Sequence, residues 1–414
     1  MIKINKLSNQ LGISPALFWG FVGVIFFALG TGIEVNWFSM YLEQLNYPVG
    51  YISFVFSFYG FAIFLGSYLT SFIVDRYGSY LVMLSGVGLS ILSGVLIVAS
   101  LRVELPTFLA FSYLLRGLSY PLFINGFLVV ITIRTQIHHL GKATGLFFLA
   151  SNLGISIIGP VLSARLLEKV GVDTLFYLGM MLCVLAYVLS LQLTKTAHTK
   201  GDKNKPIFSG VKSGLTILFS DRRLLIAVVV LIINNMGRFG FIIVMPIFLL
   251  TRGFTLNQWA SIWAITYSVN AVAGLVFGYL GDKFGHRQIA MWFSGTITAL
   301  SCLMIWVSTS YFAGNVILLG LSFSVFAIGI AAYGLISALV PAILEKNKSV
   351  SVSILNLGSG LSGFVGSFVS GLLFNWFGAN VMLLVFVGVY LASSGLIYFI
   401  KTDNPSCPPD TNQL

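Results

Sequence analysis

The stretch Gly278-Tyr279-Leu280-Gly281-Asp282-Lys283-Phe284-Gly285-His286-Arg287 gathers charge in a chain that is 57% hydrophobic and 8% charged. A shorter copy, Asp75-Arg76-Tyr77-Gly78, stands 207 residues before Asp282-Lys283-Phe284-Gly285. A second match recurs at an offset of 204: Asn152-Leu153-Gly154 followed by Gly159, then Asn356-Leu357-Gly358 followed by Gly363. Each pair holds the same ordinal place among the apolar runs of its half. Shared order and spacing point to two related halves in parallel orientation.

Working outward, runs of about 20 apolar residues, the length a helix needs to cross hydrocarbon, recur between short polar breaks. They fall near 17–42, 51–73, 81–101, 107–131, 143–165 and 174–194, then 224–250, 258–280, 288–308, 315–341, 350–374 and 381–400. A soluble chain would carry about a quarter charged residues on its wetted surface. Mean hydropathy here is +0.96. The chain is therefore expected to be an all-α membrane protein with twelve transmembrane helices in two six-helix pseudo-repeats. The bundles are placed at 1–194 and 224–400, joined by a cytoplasmic linker at 195–223 and followed by a cytoplasmic tail at 401–414. The first run is too long for a signal-peptide core and lacks a small-residue cleavage pattern, so it reads as a true span.

Charge bias orients the array. With an even number of spans and cytoplasmic termini, 17 of the 23 Lys and Arg lie on the inner side. Arg102, Arg165, Lys169 and Arg252 fall outside, and Arg116 and Arg238 lie within spans. The opposite orientation reverses the bias and violates the positive-inside rule. The net charge of +11 thus records topology and gives no reason to expect a nucleic-acid partner.

The Gly278–Arg287 loop resembles the GxLxDRxGRR signature of the major facilitator superfamily. In the first-half copy Ser71 stands at the leading Gly and Ser79-Tyr80 replace the trailing basic pair. Gly32-Ile33-Glu34-Val35-Asn36-Trp37 and Arg116-Gly117-Leu118-Ser119-Tyr120-Pro121-Leu122-Phe123 are similar to the polyol permease branch and to related siderophore transporters. The resemblance implies the major facilitator fold and alternating access in a bacterial inner membrane, with spans 1, 4, 7 and 10 lining a central cavity. It also implies gating contacts for Asp75, Arg76, Gly78, Gly278, Asp282, Lys283, Gly285 and Arg287. In these Asp75 faces the positive end of span 11 and Asp282 that of span 5.

Three ionisable residues lie deep in spans, where charge is costly and marks function or pairing. At 1.5 Å per residue Glu34, Arg116 and Arg238 sit about 12, 14 and 18 Å below the outer ends of spans 1, 4 and 7. They share one layer. A Glu between burial and Arg116 can exchange a proton, which makes Glu34 and Arg116 the expected proton-coupling pair; a fixed ion pair is the alternative. Arg238 leaves one positive charge over, suited to a carboxylate-bearing solute, or to backbone carbonyls and water. Asn36, Trp37, Tyr120, Asn125, Asn234, Asn235 and Tyr333 are the further candidate contacts, with Asn152 and Asn356 on neighbouring spans. Amides and phenols suit hydroxyl-rich solutes, although each also serves as glue between helices.

The reading that emerges is a secondary transporter for a small polar hydroxylated solute, a polyol or a hydroxycarboxylate or siderophore, with proton-coupled import favoured over export. Gly145, Gly154, Gly159, Pro160, Ser163 and Ala164 partly resemble the span-5 Gly-Pro signature of drug antiporters, which keeps export open. Enzyme chemistry is not expected, because His138, His139, His198 and His286 all fall in loops. Cys183, Cys302 and Cys407 are scattered without metal spacing, and no glycine loop has a nucleotide-binding context. No cofactor or metal is expected, and the working unit is expected to be a monomer.

Overall fold

The computed structural model describes residues 15–135, 137–191, 216–343 and 348–400, which are helical almost throughout, with no strand among them. In hydrocarbon every backbone amide must find a partner within its own segment, and helices meet that demand. Nine described helices are long and apolar enough to cross a membrane. Two of these, Ala143–Leu191 and Leu357–Ile397, each contain two crossings, because Gly171 (φ 79°, ψ 169°) and Gly378 (φ 79°, ψ 170°) turn the chain back. The shorter apolar helix Leu17–Gly32 completes twelve.

Span 1 comprises Pro15–Gly32 and, past a turn, Phe38–Gln44; spans 2, 3 and 4 are Val49–Tyr77, Ser79–Val103 and Pro106–Arg134. Span 5 runs through Ile137–Asn152 and a π-helical turn at Leu153–Ile158, then into the helix Gly159–Leu191, of which span 6 is the part beyond Gly171. Spans 7 and 8 are Arg222–Thr251 and Leu256–Phe284. Span 9 includes His286–Ile289, a π turn at Ala290–Ser294 and Gly295–Tyr311. Span 10 includes Val316–Ala332, a 3₁₀ turn at Tyr333–Leu335 and Ile336–Ile343. Spans 11 and 12 divide Lys348–Ile397 at Gly378.

The expectation of one unbroken helix over 17–42 is corrected, since residues 33–37 form a turn. The linker expected at 195–223 lies outside the described residues as far as 215, and so does the tail from 401. Residues 216–220 are helical, and Asp221 caps span 7 by accepting from the Arg223 amide at 2.8 Å.

The duplication is written into the backbone. Asn46, Gly78, Glu104 and Gly171 have positive φ in the first half; Gly253, Gly285, Gly314 and Gly378 have it in the second. The offsets between paired positions are 207, 207, 210 and 207 residues. Each such residue permits a tight reversal that an ordinary L-residue resists. Both halves thus turn at matching loops.

Spans 2 and 11 pack closely across the two bundles. A Cβ on Gly60 would lie 2.3 Å from the Gly363 carbonyl carbon, and one on Gly371 would lie 1.8 Å from Ser53 Oγ. Phe61 and Phe364 rings meet at 5.9 Å nearby. Span 5 also meets span 8, and Phe38–Gln44 meets span 7. At the end away from the termini, Trp37, Phe38 and Leu42 of the first half share a core with Val244 and Phe248 of the second. At the end bearing the termini the first half keeps its own core, including Leu17, Phe21, Phe127 and Phe147.

Within the first half, Gly154 of the π turn packs against span 1, where a Cβ would lie 2.6 Å from Ala28 Cβ and from the Ile25 carbonyl oxygen. Gly145, one part of the antiporter-like pattern, has nothing within 4 Å of a Cβ. Gly154→Ala is expected to destabilise by about 1–3 kcal/mol through overpacking. Gly145→Ala is expected to be neutral or stabilising by about 0.5–1 kcal/mol. Thermal unfolding of the two variants in one detergent checks the contrast.

Candidate functional site

The break in span 1 builds the first half of the site. Gly32 meets the π turn of span 5 so closely that a Cβ would fall 2.6 Å from Ile155 Cα. Beyond it the helical ladder lapses: Val35 N–H donates to Gly32 O at 3.3 Å, and regular bonding resumes with Phe38 N–H to Glu34 O at 3.3 Å. Irregular backbone at membrane depth survives only inside protein or along a cavity. Glu34, Asn36 and Trp37 are all buried there, at 1–2% exposure.

Arg116 closes this turn from span 4. Its Nε donates to Glu34 Oε1 at 2.9 Å, and Nη1 donates to Ser90 O at 3.1 Å and Ser90 Oγ at 2.6 Å. Nη2 donates to Gly30 O at 3.3 Å, while the Ser90 hydroxyl passes its own hydrogen to Cys183 Sγ at 3.3 Å. Four of the five guanidinium N–H groups are thus bonded, joining spans 1, 3 and 4. Glu34 Oε2 has no described partner, and neither do Asn36 Oδ1 and Nδ2. Buried polar atoms are normally satisfied, so these three stand out as exceptions.

The repeat shows how unusual this pair is. At the 207-residue offset of the first loop, Glu34 corresponds to Phe241; at the 210-residue offset of the third, Arg116 corresponds to Phe326. Those two rings are fully buried and meet at 5.1 Å. The same contact between the first and fourth helices of each half is ionic in one and aromatic in the other.

The second half contributes Arg238. Its Cζ lies 5.1 Å from the Tyr267 ring centroid and 5.8 Å from that of Phe239. No carboxylate lies within 4.0 Å of it among the described residues. The geometry unites Glu34 with Arg116 and leaves Arg238 a separate, half-buried cation.

Comparison with known proteins gives the family. The sequence matches the Major Facilitator Superfamily over residues 20–348 and 260–413. The chain belongs to the major facilitator superfamily. It is 30% identical over 405 residues to an alpha-ketoglutarate permease of Bacillus subtilis (strain 168), covering 97% of this chain and 93% of that one. It is 25% identical over 410 residues to the D-arabinitol transporter of Klebsiella pneumoniae, covering 98% and 96%. Among solved structures, a point mutant of the nucleoside transporter NupG aligns with a TM-score of 0.71 at 15% identity, covering 93% of this chain and 99% of that one. A D-xylose-proton symporter aligns at 0.68 and 14%, covering 92% and 96%. The chain is a multi-pass membrane transporter and not an enzyme.

Other residues singled out in this transporter's sequence take varied places. Asn234 is buried with Oδ1 unpartnered, whereas Asn235 Nδ2 donates to its own helix at Leu231 O, 3.2 Å away. Tyr120, Asn125 and Asn152 are half-buried. Tyr333 lies wholly inside the second bundle with its hydroxyl 2.6 Å from Ser393 Oγ, and Trp37 Nε1 donates to Ile33 O at 2.5 Å. Asn356 is in span 11, its side chain outside the described residues. In the loops, Gly78 and Gly285 make the reversals, and Asp282 meets His286 Nε2 at 3.3 Å while largely exposed. Arg287 donates to the Tyr398 carbonyl and lies over its ring. Arg76 and Lys283 lie over Tyr77 and Phe284, and Gly278 stands clear of any neighbour. Sequence reasoning missed Ser90, Cys183 and Tyr267. An aromatic stripe at spacing four, Trp259, Trp263 and Tyr267, was the available sign of the last.

Removing one member of a buried ion pair costs about 3–5 kcal/mol, whereas replacing both by apolar groups is often neutral. Glu34→Ala is therefore expected to lower stability by that amount. Glu34→Phe combined with Arg116→Phe, which copies the second half, is expected to recover most of it. Thermal unfolding of single and double variants in detergent reads the difference.

Proposed function

We propose that this transporter imports a small oxygenated organic anion, a hydroxy- or oxocarboxylate, by alternating access with protons as the coupling ion. The observation carrying this reading is the unequal charge of the two halves. Glu34 already balances Arg116, so Arg238 is a mid-membrane cation whose described neighbours are aromatic rings. A carboxylate completes that balance, and Arg grips it with two parallel hydrogen bonds. Similarity to an alpha-ketoglutarate permease supports an acid; similarity to D-arabinitol and ribitol transporters supports a hydroxylated partner for the Asn36 amide. A ferric hydroxycarboxylate siderophore falls in the same chemical class.

In this reading Arg238, Asn36, Asn234, Tyr120 and Asn125 meet the solute, with Trp37 and Asn235 shaping the walls, while Tyr333, bonded to Ser393, supports the second bundle from inside. Glu34 and Arg116 couple proton movement to rearrangement, since the pair is dispensable for packing at its counterpart in the second half. Asp75, Arg76, Gly78, Gly278, Asp282, Lys283, Gly285 and Arg287 serve the gates. The transporter sits as a monomer in the bacterial inner membrane, with both termini and residues 195–223 cytoplasmic, as the positive-inside bias favours. The bundles are residues 1–194 and 224–400. Export gains less support, because Gly154 and Gly159 of the antiporter-like pattern are occupied in packing against span 1.

Affinities of the wild type, Arg238→Lys and Arg238→Ala for an anionic hydroxycarboxylate and a neutral pentitol test the solute. Loss of a buried charge partner predicts acid binding weakened about a hundredfold or more in Arg238→Ala, and less in Arg238→Lys. A wild type that binds the pentitol, ignores the acid and tolerates Arg238→Ala is a polyol importer instead.

Coupling is tested separately in proteoliposomes under a pH gradient. Glu34→Gln is expected to lose proton-driven accumulation while retaining solute exchange. Normal accumulation by this variant removes Glu34 from the coupling step.

A further inference from the structure

The hydroxyl of Tyr267, unlike its ring, has no role in the contacts described so far. It is on span 8, 2% exposed, and its hydroxyl has no partner among the described residues. Buried Tyr hydroxyls usually find a partner. The ring is packed on two neighbours: Trp263 lies 5.2 Å from it at 56°, with Trp259 5.2 Å from Trp263, and the Arg238 guanidinium carbon lies 5.1 Å from its centroid. The Arg238 backbone is steadied next door, where Gly237 N–H donates to the Tyr390 hydroxyl at 3.0 Å.

The guanidinium carbon adjoins two aromatic rings. The N–H groups of a guanidinium lie in its own plane, where a carboxylate binds edge-on. The Tyr267 hydroxyl is on one of the rings that the cation adjoins. A solute bearing oxygen on the carbon next to a carboxylate held by Arg238 has a second group to offer this hydroxyl. An oxo group there accepts the phenolic hydrogen, and a hydroxyl either accepts or donates.

We infer that Tyr267 is a specificity-determining residue that, with Arg238, selects acids bearing oxygen on the carbon next to the carboxylate: 2-oxo or 2-hydroxy acids. The inference rests on the anionic-solute reading and narrows it. A plain carboxylate fills only the Arg238 half of the arrangement and leaves the phenol unpaired. Sites built to hydrogen-bond a solute discriminate against analogues lacking the group, because their own polar atom is stranded.

The probes are 2-oxoglutarate and glutarate, which differ only in the 2-oxygen, tested by competition uptake into proteoliposomes with full-length wild type, Tyr267→Phe and Tyr267→Leu. Wild type is expected to prefer 2-oxoglutarate by about tenfold, the worth of one hydrogen bond at a desolvated site. Tyr267→Phe keeps the ring beneath Arg238, so it binds glutarate as wild type does and loses the preference. Tyr267→Leu removes the ring as well and weakens both acids. If Tyr267→Phe retains the tenfold preference, or weakens both acids equally, Tyr267 does not read the 2-oxygen and the inference fails. In that event, acid binding that still depends on Arg238 leaves the anionic-solute reading intact. A wild type that binds neither acid overturns both.

Discussion

The arrangement of the first half depends on one buried contact, Arg116 Nε on Glu34 Oε1 at 2.9 Å. Both groups are fully buried, where an unpaired charge costs several kcal/mol, so each fixes the other, and the guanidinium's remaining bonds draw in the Ser90 side chain and the Gly30 carbonyl. Those bonds tie spans 1, 3 and 4 at one level. The break in span 1 follows from the same demand. A continuous helix would direct residues 33–37 around its circumference, whereas the turn buries Glu34, Asn36 and Trp37 together. The cost in lost ladder bonds is contained because the π turn of span 5 and Gly32 bring two backbones into contact beside it.

Duplication gives both halves the same reversals but not the same chemistry. Where the first half places an ion pair, the second places Phe241 against Phe326. Where the second places Arg238 and Tyr267, the 207-residue offset returns Thr31 and Gly60. Thr31 turns its hydroxyl back onto the carbonyls of Phe27 and Ala28, and Gly60 provides the close approach to Gly363. The helix scaffold therefore tolerates apolar, small or ionic residues at corresponding sites. Packing alone does not require the charges, and under the proposed reading they divide the labour: proton coupling in the first half, solute charge in the second.

Much of this was legible in the sequence because membrane helices obey a strong length rule and intramembrane charges are rare. Depth put Glu34, Arg116 and Arg238 in one layer and the family resemblance put their spans around one space, so a lone acid there had only two arginines to meet. Arg238 was legible as the surplus. The break at residues 33–37 was not, because Ile33, Val35 and Trp37 are as apolar as any helix interior, and the cause lies about 120 residues away at Ile155. Tyr333 illustrates the opposite failure: depth was right, but orientation depends on the 3₁₀ turn at 333–335 and points the phenol at Ser393. Ser90 was invisible for a simpler reason. Spans 3 and 4 carry many serines, most bonded to their own helix, and nothing local distinguishes the one that meets a guanidinium.

The distribution of apolar contacts bears on how such a site could change its access. At the end bearing the termini the first half keeps a core of its own, from Leu17 and Phe21 through Phe123 and Phe127 to Phe147. At the opposite end the halves share a core, and spans 2 and 11 interlock through glycines and small residues that allow little tilt without separation. A transition that opened this end would have to exchange those contacts for new ones at the other, moving each half as a body. The Glu34–Arg116 cluster lies wholly within the first half and would travel with it. Arg238 and Tyr267 would travel with the second. Only a solute touching both, with the half-buried Tyr120 and the unpartnered Asn36 on one side and Arg238 on the other, senses the change in their separation. Under the proposed reading, an ion pair on one body and a lone cation on the other are a physical means of making proton and solute occupancy depend on the same motion.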